Sequence, residues 1–173
     1  MLSLSDNEFS VISFLVRNFT ERLTIRNIAQ KLGFSAAGVF NILKKLEKEE
    51  IVTGERLGTG LFYSINFDNK VAEHLSSIVL LMSEQEMQKL NMDTFKGSKA
   101  AVFDNKTLLL VTDNVSVFDV LIPNVNVIMK TEDEMIALLR KKDSEMLQML
   151  RKGIVLFGES KIVEIIKNST SRF

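Results

Sequence analysis

Cysteine is absent, histidine and proline occur once each, and the charges cancel: 22 Lys and Arg stand against 22 Asp and Glu. Without cysteine there is no disulfide, no thiol nucleophile and no cysteine-based zinc site. The single histidine, His74, excludes a multi-histidine metal site. With one proline and no low-complexity tract, a domain junction is expected to be helical rather than a loose linker. Zero net charge does not mark the chain as a polyelectrolyte binder, so any contact with nucleic acid must rest on lysines and arginines gathered on one face. No apolar run approaches the ~18 residues of a membrane span, and the first residues lack a basic-then-apolar signal. A soluble, cytoplasmic protein with no membrane association is expected.

What is present is ample core material. Hydrophobic residues make up 46% of the 173 residues and charged residues 25%, which suits a packed fold of one large or two small domains and argues against disorder. Ser5 followed by Glu8 has the spacing of a capping box, and Phe9, Ile12, Leu15, Val16 and Phe19 recur at helical intervals, predicting a helix within residues 5–20. Thr24 caps a second helix, Ile25–Leu32, ended by Gly33. Ser35 caps a third, running to about Glu49. Its apolar stripe is Val39, Ile42, Leu43 and Leu46, and its other face carries Asn41, Lys44, Lys45 and Lys48. The period then changes. Ile51–Arg56 and Leu61–Phe67 alternate as strands around the glycine-bearing tip Leu57-Gly58-Thr59-Gly60.

Three helices followed by a hairpin, carrying Ile28-Ala29-Gln30-Lys31-Leu32-Gly33-Phe34-Ser35 and then Ile42-Leu43-Lys44-Lys45-Leu46, resemble the winged helix-turn-helix of MarR-like transcription regulators. The resemblance covers residues 5–67. It implies a domain over residues 1–68 whose third helix enters the major groove of double-stranded DNA by its N-terminal part. Ser35, Ala37 and Gly38 would permit close approach, alongside Ala36. Asn41 would read a base edge, with adenine its usual partner, and Phe40 would touch a thymine methyl or a sugar. Lys44, Lys45 and Lys48 would meet phosphates, and Arg56 and Thr59 would act from the wing. Other readings stand beside these: Phe40 as core, the lysines as a solvated face, and the whole domain as a protein-binding module. The first 68 residues hold eight basic and eight acidic side chains, so one copy should bind DNA weakly and a homodimer would compensate.

Residues 69–173 form the second expected domain. Residues 69–91 contain neither proline nor glycine, and Val71, Leu75, Ile78, Val79 and Met82 make a stripe, with Met87 and Leu90 resuming it. This predicts a long linking helix that packs against a partner copy, the next domain or its own core. Beyond it, Lys99–Phe103, Thr107–Thr112 and Val125–Met129 read as strands, the last preceded by Pro123-Asn124. Helices are predicted at Glu132–Lys141 after Thr131, at Ser144–Lys152 after Asp143, and at Ser160–Asn168, with Ile154–Phe157 a short apolar segment. The fold class is therefore α+β: a winged helix, a linking helix and a small α/β domain.

Phe95-Lys96-Gly97-Ser98-Lys99-Ala100 and Lys152-Gly153-Ile154-Val155-Leu156-Phe157-Gly158 make that domain similar to a minimal nucleotidyltransferase fold. Active members of that family carry two carboxylates, one residue apart, on the strand after Gly-Ser, where they hold magnesium. Here that strand reads Thr107-Leu108-Leu109-Leu110-Val111, and only Asp104, Asp113 and Asp119 lie nearby. The departure implies a degenerate domain that is not an enzyme, with no catalytic residue, metal or cofactor, serving dimerisation, a small effector or a protein partner. Two alternatives remain: a magnesium-dependent nucleotidyltransferase that uses Asp104 and Asp113, and an antitoxin-like adaptor whose winged helix holds a protein. The acidic run Glu132-Asp133-Glu134 is read as a helix first turn.

Overall fold

Ser5 opens the first helix as the sequence predicts. Its hydroxyl accepts the Glu8 backbone N–H, and the Glu8 carboxylate accepts the Ser5 backbone N–H at 2.7 Å. The computed structural model describes residues 4–81, 95, 97–104, 106–113 and 125–171. These fall into two compact units, Met1–Val79 and Leu80–Phe173.

In the first unit, α1 (Asp6–Arg17), α2 (Ile25–Leu32) and α3 (Ala36–Lys48) precede the hairpin β1 (Val52–Leu57) and β2 (Gly60–Ile65). Each helix starts where a hydroxyl can satisfy an N–H that has no partner within the helix: Thr24 takes that of Asn27, and Ser35 that of Gly38. Val11, Ile12, Leu15 and Val16 from α1 are buried with Ile28 of α2 and Val39, Leu43 and Leu46 of α3. The hairpin is tighter than its expected tip, because Leu57 pairs with Gly60 and only Gly58 and Thr59 turn. Leu23 adds a bridge to Tyr63, whose N–H donates to the Leu23 carbonyl at 2.8 Å. Sequence periodicity does not reveal a single-residue bridge of this kind.

The helix α4 (Lys70–Leu81) follows. Its buried face is Ala72, Leu75, Ser76, Val79 and Leu80. Val71 and Ile78, placed on the stripe with Leu75 and Val79 by the sequence, are instead exposed, along with His74. Positions 71, 74 and 78 lie three and four apart and so share a helix face, turned away from the buried one. Met82, Met87 and Leu90 of the expected linking helix lie outside the described residues.

The second unit is built on a four-stranded mixed sheet in the order β5-β4-β3-β6. The strands β3 (Ser98–Asp104) and β4 (Thr107–Thr112) form an antiparallel hairpin, β5 (Asn126–Lys130) runs parallel to β4, and β6 (Ile154–Phe157) runs antiparallel to β3. The helices α5 (Glu132–Arg140), α6 (Ser144–Lys152) and α7 (Glu159–Thr170) pack on it. Leu108, Leu109, Leu110 and Val111 of β4 are all 0% exposed, which explains why that strand is continuously apolar: both faces are covered. Ala101, Leu108, Leu110 and Leu156 cluster with Phe95 on one face. Gly158 has a φ of 77°, and a Cβ there would lie 2.2 Å from the Lys99 carbonyl oxygen, so the turn from β6 into α7 requires a residue without a side chain. Among the described residues, no helix is long and apolar enough to cross a membrane.

Candidate nucleic-acid interface

The exposed face of α3 follows from its buried one. With Val39, Leu43 and Leu46 at 0% exposure, the positions about half a turn away must face solvent. Ser35, Ala36, Ala37, Phe40, Asn41, Lys44, Glu47 and Lys48 are exposed, and Gly38 and Lys45 are half-buried. Phe40 is 47% exposed, which settles its position: it is a surface residue of the third helix and not core. Arg56 and Thr59 are exposed on the wing.

Two carboxylates make contacts with this face that the sequence does not reveal. The first is Glu8, 6% exposed, whose Oε1 lies 2.8 Å from the Lys45 ammonium. Burial alone would push its carboxyl up, but the Lys45 hydrogen bond and charge, with hydrogen bonds from Ser5, outweigh it and hold the group below its ordinary value. Lys45 therefore ties α3 to α1, unlike Lys44 and Lys48, with which the sequence groups it. The second is Glu47. Its Oε1 accepts the Gly54 backbone N–H at 3.2 Å, joining the last turn of α3 to β1 of the wing. A Cβ at position 54 would lie 2.8 Å from that oxygen and 3.3 Å from the Tyr63 ring, so glycine permits the approach. Burial and the Glu47 charge together hold the Tyr63 phenol above its ordinary value. A glycine inside a strand is the sequence signal that could have found this contact.

The C-terminal end of α3 is fixed too. Glu50 takes a left-handed conformation, φ 56°, the Ile51 N–H returns to the Leu46 carbonyl at 2.9 Å, and the Asn66 side chain donates to the Glu50 carbonyl at 2.9 Å. Helix and wing are thus joined at three points near residues 47–54. Arg22 and Arg26, beside the Thr24 cap, are exposed too and add positive charge at the start of α2.

The second unit gives a different result for its acidic candidates. Asp104 pairs with Thr107 at one end of the β3–β4 hairpin, whereas Asp113 follows Thr112, which pairs with Ser98 at the other end. Six residues of strand separate the two ends, roughly 20 Å at the strand rise. The rearranged two-carboxylate magnesium site expected as an alternative is therefore not formed. Asp113 instead pairs with Lys99 at 2.7 Å. Lys99 also lies 4.0 Å from Glu132, which Lys161 reaches at 3.2 Å, and Lys161 pairs with Glu164. Glu132 thus acts in an ion-pair network as well as in the first turn of α5. Asp119 lies outside the described residues.

Three helices with a turn between the second and third, a bridging strand residue and a two-stranded wing define the first unit as a winged helix-turn-helix domain. Residues 2–60 match the family model described as MarR family, from α1 to the wing tip. None of the curated proteins matches the chain. Similar solved structures include MepR, a transcription regulator of the Staphylococcus aureus multidrug efflux pump MepA, at 18% identity over 53% of this chain and 69% of that one, with a TM-score of 0.42. A MepR–DNA complex from S. aureus is 19% identical over 52% of this chain and 67% of that one, with a TM-score of 0.42.

Proposed function

We propose that the chain is a DNA-binding transcription regulator that places α3 in the major groove of double-stranded DNA. The observation that carries this reading is the composition of the exposed α3 face. Its first turns offer Ser35, Ala36, Ala37, Phe40 and Asn41, and its later turns offer Lys44 and Lys48. Small side chains let the helix approach base edges, Asn41 supplies a donor and an acceptor, and the lysines meet phosphates beyond. The first 68 residues hold eight basic and eight acidic side chains, and the Glu8–Lys45 pair withdraws one of each, so the local charge of the α3 face rests on Lys44 and Lys48. Glu47 is turned to the wing backbone. Arg56 and Thr59 act from the wing tip.

The reading extends to a homodimer acting on two half-sites about one helical turn apart, which compensates for a modest charge per copy. The second unit supplies the dimer contact or a surface for a small effector or protein partner. Its β3–β4 hairpin, parallel β5 and apolar β4 support a nucleotidyltransferase-like scaffold without the paired metal-binding carboxylates. The protein would work in the cytoplasm.

Titration of the full chain against fluorescein-labelled duplex DNA at salt concentrations from 50 to 300 mM tests the central claim. Affinity should fall steeply with salt, the slope reporting the number of phosphates neutralised. Absence of binding at the lowest salt would leave the adaptor reading in its place.

A further inference from the structure

The exposed ring of Phe40 is the one feature of α3 that neither packing nor phosphate contact explains. Val39 and Leu43 on either side of it are 0% exposed and already fill the interior, while Phe40 is 47% exposed. Only two other large hydrophobics are this exposed among the described residues, Val71 and Ile78, and both lie on α4. Phe40 stands alone on its face, so it is too small a patch for a stable protein interface. Its surroundings are those of a groove-facing position. Ala37 and Ala36, both exposed, lie three and four residues before it, on the same side of the helix. Asn41 adjoins it, and Lys44 and Lys48 lie one and two turns further along. An apolar group held between small residues and cations fits the one apolar feature that B-DNA shows in its major groove, the 5-methyl group of thymine.

We infer that Phe40 is a specificity residue that selects thymine by contact with its 5-methyl group, at a fixed step from the base read by Asn41. This rests on the proposed entry of α3 into the major groove. The contact is apolar, so it adds to affinity without adding to salt dependence. Its loss should weaken binding by about fourfold per methyl, the value of burying one such group.

The test begins with selection of bound duplexes from a randomised pool by the full chain. Each thymine of the selected sequence is then replaced in turn by deoxyuridine, which removes only the methyl. For the native chain, one thymine per half-site should show a loss of about fourfold. Phe40→Ala should bind the thymine duplex about as weakly as the native chain binds the uracil duplex, should no longer distinguish the two, and should keep the native salt slope. Phe40→Leu should retain part of the discrimination. Tyr63, buried in the same unit, reports through its fluorescence that the variants are folded. If no thymine is sensitive in the native chain, or Phe40→Ala keeps the preference, the inference is overturned while the DNA reading stands. If Phe40→Ala leaves DNA binding intact but abolishes self-association in sedimentation, the ring belongs to a protein interface and the inference fails. If no duplex is selected at all, the DNA reading itself fails and takes the inference with it.

Discussion

Lys45→Met removes the cation 2.8 Å from a carboxylate that is 6% exposed. The methionine chain still covers the same surface, so the change isolates the charge. Glu8 is left with its Ser5 contacts and no counter-ion, and an unpaired buried charge is the expensive outcome when one partner of a pair is deleted. The Lys45 side chain is 42% exposed, so the full penalty of a dry interior does not apply. A loss of about 1 to 2 kcal/mol at pH 7 is expected, or roughly 4 to 16 °C in the melting temperature of a unit this size. The folded-state pKa of Glu8 lies below its ordinary 4.5. The stability it contributes is therefore complete above about pH 4.5 and is lost as the pH falls through the lower folded value. The gap between native and Lys45→Met should be full at pH 7 and shrink below pH 4. Tyr63 is the single tyrosine, there is no tryptophan, and it is 4% exposed within the first unit, so its fluorescence follows unfolding of that unit alone. Adding Glu8→Gln to Lys45→Met should recover part of the loss. Equal stability of Lys45→Met and the native chain at pH 7, or a gap that does not vary with pH from 3 to 7, would refute the reasoning.

Lys44→Ala should reduce the salt slope of DNA binding by about 0.9, one phosphate contact, whereas Lys45→Met should leave it nearly unchanged; equal effects would mean that the Glu8 pair does not withhold Lys45. Glu47→Ala should speed hydrogen exchange at the Gly54 amide several-fold and weaken DNA binding less than Lys44→Ala, and an unchanged exchange rate would show that the carboxylate does not hold the wing. Gly158→Ala should destabilise the second unit by at least about 2 kcal/mol, because the φ of 77° and the Lys99 carbonyl both oppose a side chain; a urea midpoint matching that of the native chain would contradict this.

Much of the architecture is legible along the chain because its elements carry local signatures. Ser5, Thr24, Ser35, Thr131 and Asp143 all cap the helices they were expected to cap. The turn between α2 and α3 and the strands on either side of Gly58-Thr59 follow from glycine position and a change of period. What was not legible depends on contacts between distant residues. The order β5-β4-β3-β6 cannot be read from strands that are apolar on both faces. The Glu8–Lys45 pair joins residues that look like ordinary surface charges, and Glu8 already had a local explanation as a capping-box residue. On α4, aliphatic residues occupy more than half the circumference, so periodicity did not show that Val71 and Ile78 turn outward. Asp104 and Asp113 are close in sequence, yet the hairpin sends them to opposite ends.

Amide hydrogen exchange of the full chain, with and without a saturating duplex, tests most directly whether α3 is the DNA-reading element. The expected result is added protection confined to residues 35–48 and to the wing around 56–60, with α1 and the second unit changed little. Protection that spares residues 35–48, or falls mainly on the sheet of the second unit, would contradict the placement of α3 in the groove.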